Sequence, residues 1–405
     1  MNPSVLQRTP HLVASLCALA ISGGLVWGSY RWARDIQEER LHAVAPEFCD
    51  AKLHGVALIR EAFSRPDTLV LLGSSELIPD VPMKGVEFFS DAPTGFSVFP
   101  VGKAGTTALS VLQKLGGAGE ELRGKKLVLS LSPGFFQTEE VDQKYFAGNS
   151  SKLQTKELLW NSAYSRDLRS SIARELLLFP KTYEDDWFLE FTLRRVAGSR
   201  WMDRALLALM SPVASFDRMV GRLQDHAESA IALLEAPREG TAPVVRRQKL
   251  NWDELFRRAE SHSKALALHS SRAPVGIAKP KGSGDRQFLR KVTGSQEWRD
   301  LELVFRLVQE AGAVPLVISM PLHADILERQ GVSEEAMQAY GKQLKTLTGK
   351  YKVPLVYSKN YEKDPVFFVD QFDHIGAKGW CYYNKVMDDF YHGRLNSETF
   401  ASSVP

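Results

Sequence analysis

Residues 68–77 read Thr68-Leu69-Val70-Leu71-Leu72-Gly73-Ser74-Ser75-Glu76-Leu77. A short apolar run closed by glycine is the pattern of a strand buried on both faces, as in a parallel sheet. A serine directly after such a strand sits at the carboxyl edge of the sheet, where open α/β sheets bind their ligands. Similar runs follow at Phe96 to Val101, Lys126 to Leu131, Val314 to Ser319 and Val353 to Tyr357. Helical patterns separate several of them, at Thr107 to Leu115, Gln296 to Ala311 and Ser333 to Leu347. In the second, Leu301, Val304, Phe305 and Val308 recur at helical spacing, and Ser333 with Glu335 and Ala336 opens the third. Strands alternating with helices predict an α/β, doubly wound parallel sheet.

The strands stop near 135 and resume near 314. Between them a stretch rich in Leu, Ala, Arg and Glu has helical spacing at Leu158 to Leu178, Trp187 to Met210 and Phe216 to Leu234. It reads as a helical insertion or cap, about 150–272. Arg272 to Gly294 is rich in Lys, Gly, Ser and Pro and reads as a loop, with Lys279, Lys281 and Arg286 either a contact for anionic lipid or polymer or, as favoured, a solvated charge cluster. The expected organisation is an anchor over 1–33, one domain over 34–395 with its core at about 66–140 and 295–393, and a tail over 396–405.

The chain has 405 residues, 44% hydrophobic and 24% charged, with 51 Lys+Arg against 48 Asp+Glu for a net charge of +3. Such values exclude a disordered tail, a collagen-like fibre and a polytopic membrane protein, and a near-neutral balance gives no reason to expect nucleic acid. Three cysteines and no Cys-x-x-Cys pair exclude a disulfide scaffold and a zinc knuckle. The average conceals Leu12 to Tyr30, which carries no charge. A bilayer needs about 20 such residues. Trp27, Tyr30 and Trp32 follow as an interfacial belt, with Arg31 and Arg34. Ala43-Val44-Ala45 has the form of a signal-peptidase site, but it lies beyond a charged stretch and precedes Pro46. Arg8 on one side and Arg31, Arg34 and Arg40 on the other leave the orientation open. Cys17 falls in the span, so Cys49 and Cys381 are the remaining pair.

Chemistry gathers at the two ends of the α/β part. Ser74 and Ser75 can cap a following helix or present a hydroxyl beside backbone N–H groups. Near the other end lies Asp370-Gln371-Phe372-Asp373-His374-Ile375-Gly376-Ala377-Lys378-Gly379-Trp380. A serine needs a base to take its proton, and the base needs an acceptor to fix its tautomer. A histidine beside carboxylates supplies both. No cofactor or metal motif accompanies them. Gly102-Lys103 lacks the upstream glycine of a phosphate loop. His262, His269 and His323 lack metal-ligand partners at useful spacing and read as surface or helix residues.

An early strand-end serine and a late acid–histidine loop are the layout of SGNH hydrolases, whose sheet is flavodoxin-like. Gly73-Ser74-Ser75-Glu76-Leu77, Ser132-Pro133-Gly134-Phe135-Phe136 and His374-x-Gly376-x-Lys378-Gly379-Trp380, behind one N-terminal span, resemble the DltD family. The resemblance runs along most of the chain, with the central helical region matched by position and type only. It implies a membrane-anchored protein whose domain stands outside the cytoplasm and serves D-alanylation of lipoteichoic acid or a related envelope polymer. The implied partners are a membrane-bound O-acyltransferase and a D-alanyl carrier protein. Ser75 matches the nucleophile and His374 the base. The usual acid position, three before the histidine, is Gln371, so the acid is Asp370 or the adjacent Asp373; Asp370 is favoured, because neighbouring side chains in an extended loop point apart. For the oxyanion, the resemblance implies the N–H groups of Ser75 and Gly105, with Gly102 in reserve. The Asn of the third SGNH block is absent from Ser132-Pro133-Gly134. Two other readings stay open: an SGNH-type thioesterase, esterase or polysaccharide O-acetyltransferase, and a non-catalytic scaffold for the membrane acyltransferase.

Overall fold

The computed structural model describes residues 9–41, 54–198, 200–235, 248–269, 278–370 and 374–395. The candidate cleavage site 43–45, Cys49 and the 396–405 tail lie outside the described residues.

The chain opens with α1 (Thr9–Arg40) and α2 (Val56–Ser64), then enters the sheet at β1 (Thr68–Leu72). A single 3-10 turn, α3 (Gly85–Asp91) and β2 (Ser97–Val101) follow, then α4 (Ala108–Ala118) and β3 (Lys126–Leu131). The excursion between β3 and β4 carries α5 (Gln143–Asn149), α6 (Lys152–Trp160), α7 (Arg166–Leu176), α8 (Trp187–Ala197), α9 (Trp201–Glu235), α10 (Trp252–His269), α11 (Asp285–Gly294) and α12 (Glu297–Ala311). The sheet closes with β4 (Val314–Ser319), α13 (Ala324–Arg329), α14 (Glu334–Lys350) and β5 (Leu355–Tyr357), and α15 (Ala377–Tyr391) ends the fold.

All five strands are parallel, in the order β2-β1-β3-β4-β5. This is the doubly wound, flavodoxin-like order, whose crevice opens where the chain reverses direction beside β1. Every residue of β1 and β2 is buried, as uninterrupted apolar runs require. The strand and helix expectations hold within a few residues. Ser333 caps α14, its Oγ accepting the Ala336 N–H at 3.2 Å.

The central region departs from the reading in more than one way. The run Leu158 to Leu178 is divided between α6 and α7, and Trp187 to Met210 between α8 and α9. Residues 285–294 form α11 rather than loop, because Phe288 and Val292 are buried on one face while Arg286 stays exposed. The break expected near Met210 is absent, and α9 continues through Pro212. The insertion is also split in its packing. Helices α6 and α12 pack against α4, α9 packs along α1, and α10 packs on α15. Glu157 of α6 ties three of these helices together. It accepts Arg60 of α2 at 2.7 Å and Arg222 of α9 at 2.6 Å. Burial pushes its carboxyl up, but the bonds from Arg222 and Arg60 outweigh burial and hold it below the usual range. From α9, Asp225 reaches across to the start of α2, accepting the Ala57 N–H at 2.7 Å.

Among the described residues Glu297 has no such cation. Its Oε2 accepts the Ala108 N–H at 2.9 Å, and burial raises its carboxyl from 4.5 to about 7. A raised folded value favours the neutral acid, so the stability it lends is complete below about pH 4.5 and lost as pH rises through about 7. Glu297→Gln should therefore remove about 2–3 kcal/mol of the stability loss between pH 5 and pH 8. Urea unfolding of both proteins at the two pH values measures this, and equal pH dependence would refute it.

Candidate active site

The carboxyl ends of β1 and β2 meet backbone to backbone. Gly73 N–H donates to the Val101 carbonyl at 3.0 Å. Gly102 has φ +152°, and a Cβ there would stand 1.9 Å from the Gly73 carbonyl oxygen. Only glycine fits at that approach. Gly73 itself faces Glu76, whose Oε1 would lie 2.4 Å from an added Cβ. Glu76 folds back under the turn and accepts the Ser74 N–H at 3.0 Å. Its carboxyl is buried beside Ser130, and burial pushes its pKa up.

Ser74 does not cap a helix. Its Oγ accepts the Thr106 N–H at 3.1 Å and points toward the Lys103 carbonyl at 3.4 Å, which fastens the turn after β1 to the loop after β2. Ser75 begins one 3-10 turn, Ser75–Leu77, in place of the α-helix expected there. A turn this short contributes little macrodipole, so its influence on a developing anion is local to its N–H groups.

His374 comes from the far end of the chain. Phe368 and Ile375 pair as an antiparallel bridge, Val369 N–H donates to the His374 carbonyl at 2.8 Å, and Gly376 N–H donates to the Phe367 carbonyl at 2.8 Å. This pinch closes a loop with Asp370 and His374 at its two shoulders. Nδ1 of His374 lies 2.5 Å from Asp370 Oδ2, and Nε2 lies 2.9 Å from Ser75 Oγ. The carboxylate thus meets the ring from four residues back, because the bridge sets the two residues opposite each other. Asp373, with Gln371 and Phe372, lies outside the described residues. Beyond the pinch, Trp380 of α15 is buried at 1% exposure, which moors the loop to the core.

The loop after β2 is stitched shut. Thr106 N–H donates to the Lys103 carbonyl at 3.0 Å, and Thr106 Oγ1 donates to Asn149 Oδ1 at 3.0 Å. Asn149 Nδ2 donates to the carbonyls of Ala104 and Tyr145 at 3.1 and 2.9 Å. Gly105, at φ +77°, lies within this turn, with the Tyr145 ring 2.8 Å from where a Cβ would be. Ser132 is occupied as a cap, its Oγ accepting the Gly134 N–H at 3.3 Å.

Three contributors escaped the sequence reading. Glu76 stood in the quoted motif, but nothing in the spacing said that its carboxylate turns back on Ser74. Asn149 lies 43 residues from Thr106 and belongs to no motif. His323, read as a surface or helix residue, is half-buried at the start of α13 and stacks on Phe368 at 4.3 Å. Burial lowers its pKa, against the fields of Asp325 and Asp370. Among the described residues its buried Nδ1 has no hydrogen-bond partner. Cys381 is buried and its thiol is raised to about 12, so it is no competing nucleophile.

Two outcomes follow from this geometry. Gly102→Ala should cost about 3 kcal/mol or more in unfolding free energy, since its methyl collides with backbone at positive φ; a denaturant midpoint equal to wild type would refute the close approach. Asp370→Asn should slow labelling of Ser75 by a fluorophosphonate about 10²–10⁴-fold at pH 7, since the ring loses its tautomer-fixing acceptor. An equal loss in Asp373→Asn alone would reassign the acid.

A family model described as DltD protein matches residues 45–392. Protein DltD of Bacillus subtilis (strain 168) is 25% identical over 369 residues, which cover 89% of this chain and 92% of that relative. Protein DltD of Staphylococcus aureus (strain NCTC 8325 / PS 47) is 22% identical over 379 residues, covering 90% of this chain and 91% of its own.

Proposed function

The chain belongs to the DltD family, and on that premise we propose that it is a membrane-anchored acyl-transfer enzyme of envelope D-alanylation, with Ser75, His374 and Asp370 as its catalytic triad. The observation that carries this reading is the relay of 2.5 Å and 2.9 Å from Asp370 through His374 to Ser75. Nucleophile, base and orienting acid each lie within hydrogen-bond reach of the next.

In the proposed reaction, Ser75 Oγ attacks the carbonyl carbon of a D-alanyl ester or thioester while its proton passes to His374 Nε2. The tetrahedral oxyanion faces the Ser75 N–H and the glycine-bearing turn at Gly105. Collapse breaks the bond to the donor, and His374 returns its proton to the leaving alcohol or thiol. A hydroxyl of a teichoic-acid-like polymer then gives its proton to His374 and attacks the D-alanyl-Ser75 ester, and Ser75 is released with a proton from the imidazolium. Asp370 holds Nδ1–H throughout and stabilises the ring cation.

The proposed location is supported by α1. Its residues 11–29 are exposed along the whole uncharged run, as a helix seated in lipid requires. The proposed topology places the triad domain outside the cytoplasm, within reach of the bilayer, beside a membrane-bound O-acyltransferase that hands over the D-alanyl group from a carrier protein.

Ser75→Ala and His374→Ala, expressed in cells lacking the native copy, should each abolish alkali-labile D-alanine on the envelope polymer, a loss of about 10³-fold or more in rate. Full D-alanylation by Ser75→Ala would sink the catalytic reading and favour a scaffold. An acetyl mass on trapped Ser75 would replace D-alanyl transfer with O-acetyl transfer.

A further inference from the structure

Helices α1 and α9 run side by side in the same direction. Tyr30 packs edge-on against His226 at 4.7 Å, Gln37 Oε1 meets His226 Nδ1 at 2.8 Å, and Arg40 donates to the Leu233 carbonyl at 2.8 Å. Ala33, Ile36 and Leu41 are buried there, whereas residues 11–29 are exposed. The contact is therefore closed at the carboxyl halves and open nearer the amino ends. The opening is a groove of about 550 Å³, walled by Gly23, Val26 and Trp27 of α1 and by Met219 and Leu223 of α9. Gly23 has nothing within 4 Å of the place its Cβ would take, so the groove runs open beside the helix.

One cation in this groove makes no close ion pair among the described residues, although it feels the fields of Glu157 and Asp217. Arg222 is held by Glu157, but Arg218 makes no ion pair among the described residues. Its Nε donates to the Ala214 carbonyl of its own helix at 3.3 Å, and the side chain is half-buried. A guanidinium fork at the wet end of an apolar groove matches a phosphate, which it can grip with two parallel bonds. The height is right for a lipid. Tyr30 and Arg31 mark the end of the uncharged span, and Arg218 lies about one turn inside that level, close enough to snorkel to it.

The surface of α9 next to the groove continues the argument. From Ala205 to Phe216 no residue is charged. Leu206, Leu209, Val213 and Phe216 form an outward stripe, with Leu209 74% and Phe216 64% exposed. Twelve residues rise about 18 Å, too short to cross a bilayer but long enough to lie against it. Trp201, at the amino end of α9, is exposed as well.

We propose that the groove between α1 and α9 binds an anionic phospholipid, with an acyl chain along Gly23, Val26, Trp27, Met219 and Leu223 and the phosphate on Arg218. This rests on the anchoring of α1 in a bilayer. The lipid fills the wedge between anchor and domain, and so sets the angle at which the domain stands on the membrane.

The test uses the full chain purified in non-ionic detergent and incubated with equal amounts of phosphatidylglycerol and phosphatidylcholine, with co-eluting lipid counted by mass spectrometry. Wild type should retain phosphatidylglycerol about tenfold over phosphatidylcholine, whose choline cation offsets the phosphate charge beside Arg218. Arg218→Gln should bring the ratio to about one, and Gly23→Leu should lower retention of both lipids, each with unchanged thermal unfolding. Equal retention of the two lipids by wild type, or an undiminished preference in Arg218→Gln, overturns the proposal while leaving the anchor intact. A Gly23→Leu protein that keeps its lipid but loses a co-purifying membrane protein also overturns it, by assigning the groove to a partner helix. Recovery of the unmodified full chain in the soluble fraction, without detergent, overturns the anchor and the groove together.

Discussion

The hydrogen bond from Ser75 to His374 spans 299 residues of chain and is 2.9 Å long. Neither partner can be placed by local structure, so the fold must fix both ends. One end is fixed by the sheet, where β1 is paired on both sides and Gly73, which follows it, is pressed against Gly102. The other is fixed by α15. Lys126 at the start of β3 donates to the carbonyls of Phe390 and Tyr391 at 3.0 and 2.8 Å, and Ser130 of β3 lies 3.4 Å from the Tyr383 hydroxyl. The same strand region that pairs with β1 therefore holds the helix that carries the histidine loop. An error of about 1 Å anywhere along this path would break the relay, which is why the path runs through buried, hydrogen-bonded elements.

The long excursion between β3 and β4 has a different task. It does not simply cover the site. Its first part packs on α4 and α12, and through α9 it grips α1, while α10 supports α15 from the other side. Glu157 is the joint. An isolated buried carboxylate would favour its neutral form, yet two arginines from two other helices keep it ionised and hold α2, α6 and α9 in one arrangement. Helix α1 is thus packed, through α9, against the same framework of helices that Glu157 holds together.

Much of this was legible in the chain because burial on both faces leaves a plain mark. Runs such as Thr68 to Leu72 and Lys126 to Leu131 are short, apolar and ended by turn residues, and the parallel sheet follows from them. The strand-end serine and the late histidine were legible because chemistry restricts residue type. What was not legible depends on side chains that bend back or meet across space. Glu76 looks like an ordinary first-turn acid until its carboxylate is seen on the Ser74 N–H. Asp370 sits one residue away from the usual offset, and the bridge between Phe368 and Ile375 is what compensates. Residues 285–294 look like loop because their composition is polar, and two buried apolar side chains are enough to make a helix of them. The runs Trp187 to Met210 and Phe216 to Leu234 read as separate, yet α9 continues between them through Pro212, which lies on an exposed face of the helix.

The absent asparagine after β3 bears on how this site handles charge. A side-chain amide that donates to an oxyanion is worth about 3 kcal/mol of barrier. Here the position is Ser132-Pro133-Gly134, with Ser132 engaged in its own turn. The buried amide that does approach the region, Asn149, spends both donor hydrogens on the carbonyls of Ala104 and Tyr145 and its oxygen on Thr106. It acts on the loop and leaves none of its own hydrogens for a substrate. The consequence is a turn around Gly105 whose N–H directions are set in advance by a fully committed amide. In the proposed reaction, stabilisation of charge at Ser75 then falls to backbone donors, rigid and few. Fewer donors lower the barrier less, and the acyl-serine of that reaction would react slowly with any acceptor that is not itself held in place. On that proposal, the selectivity favours a positioned polymer hydroxyl over a passing water.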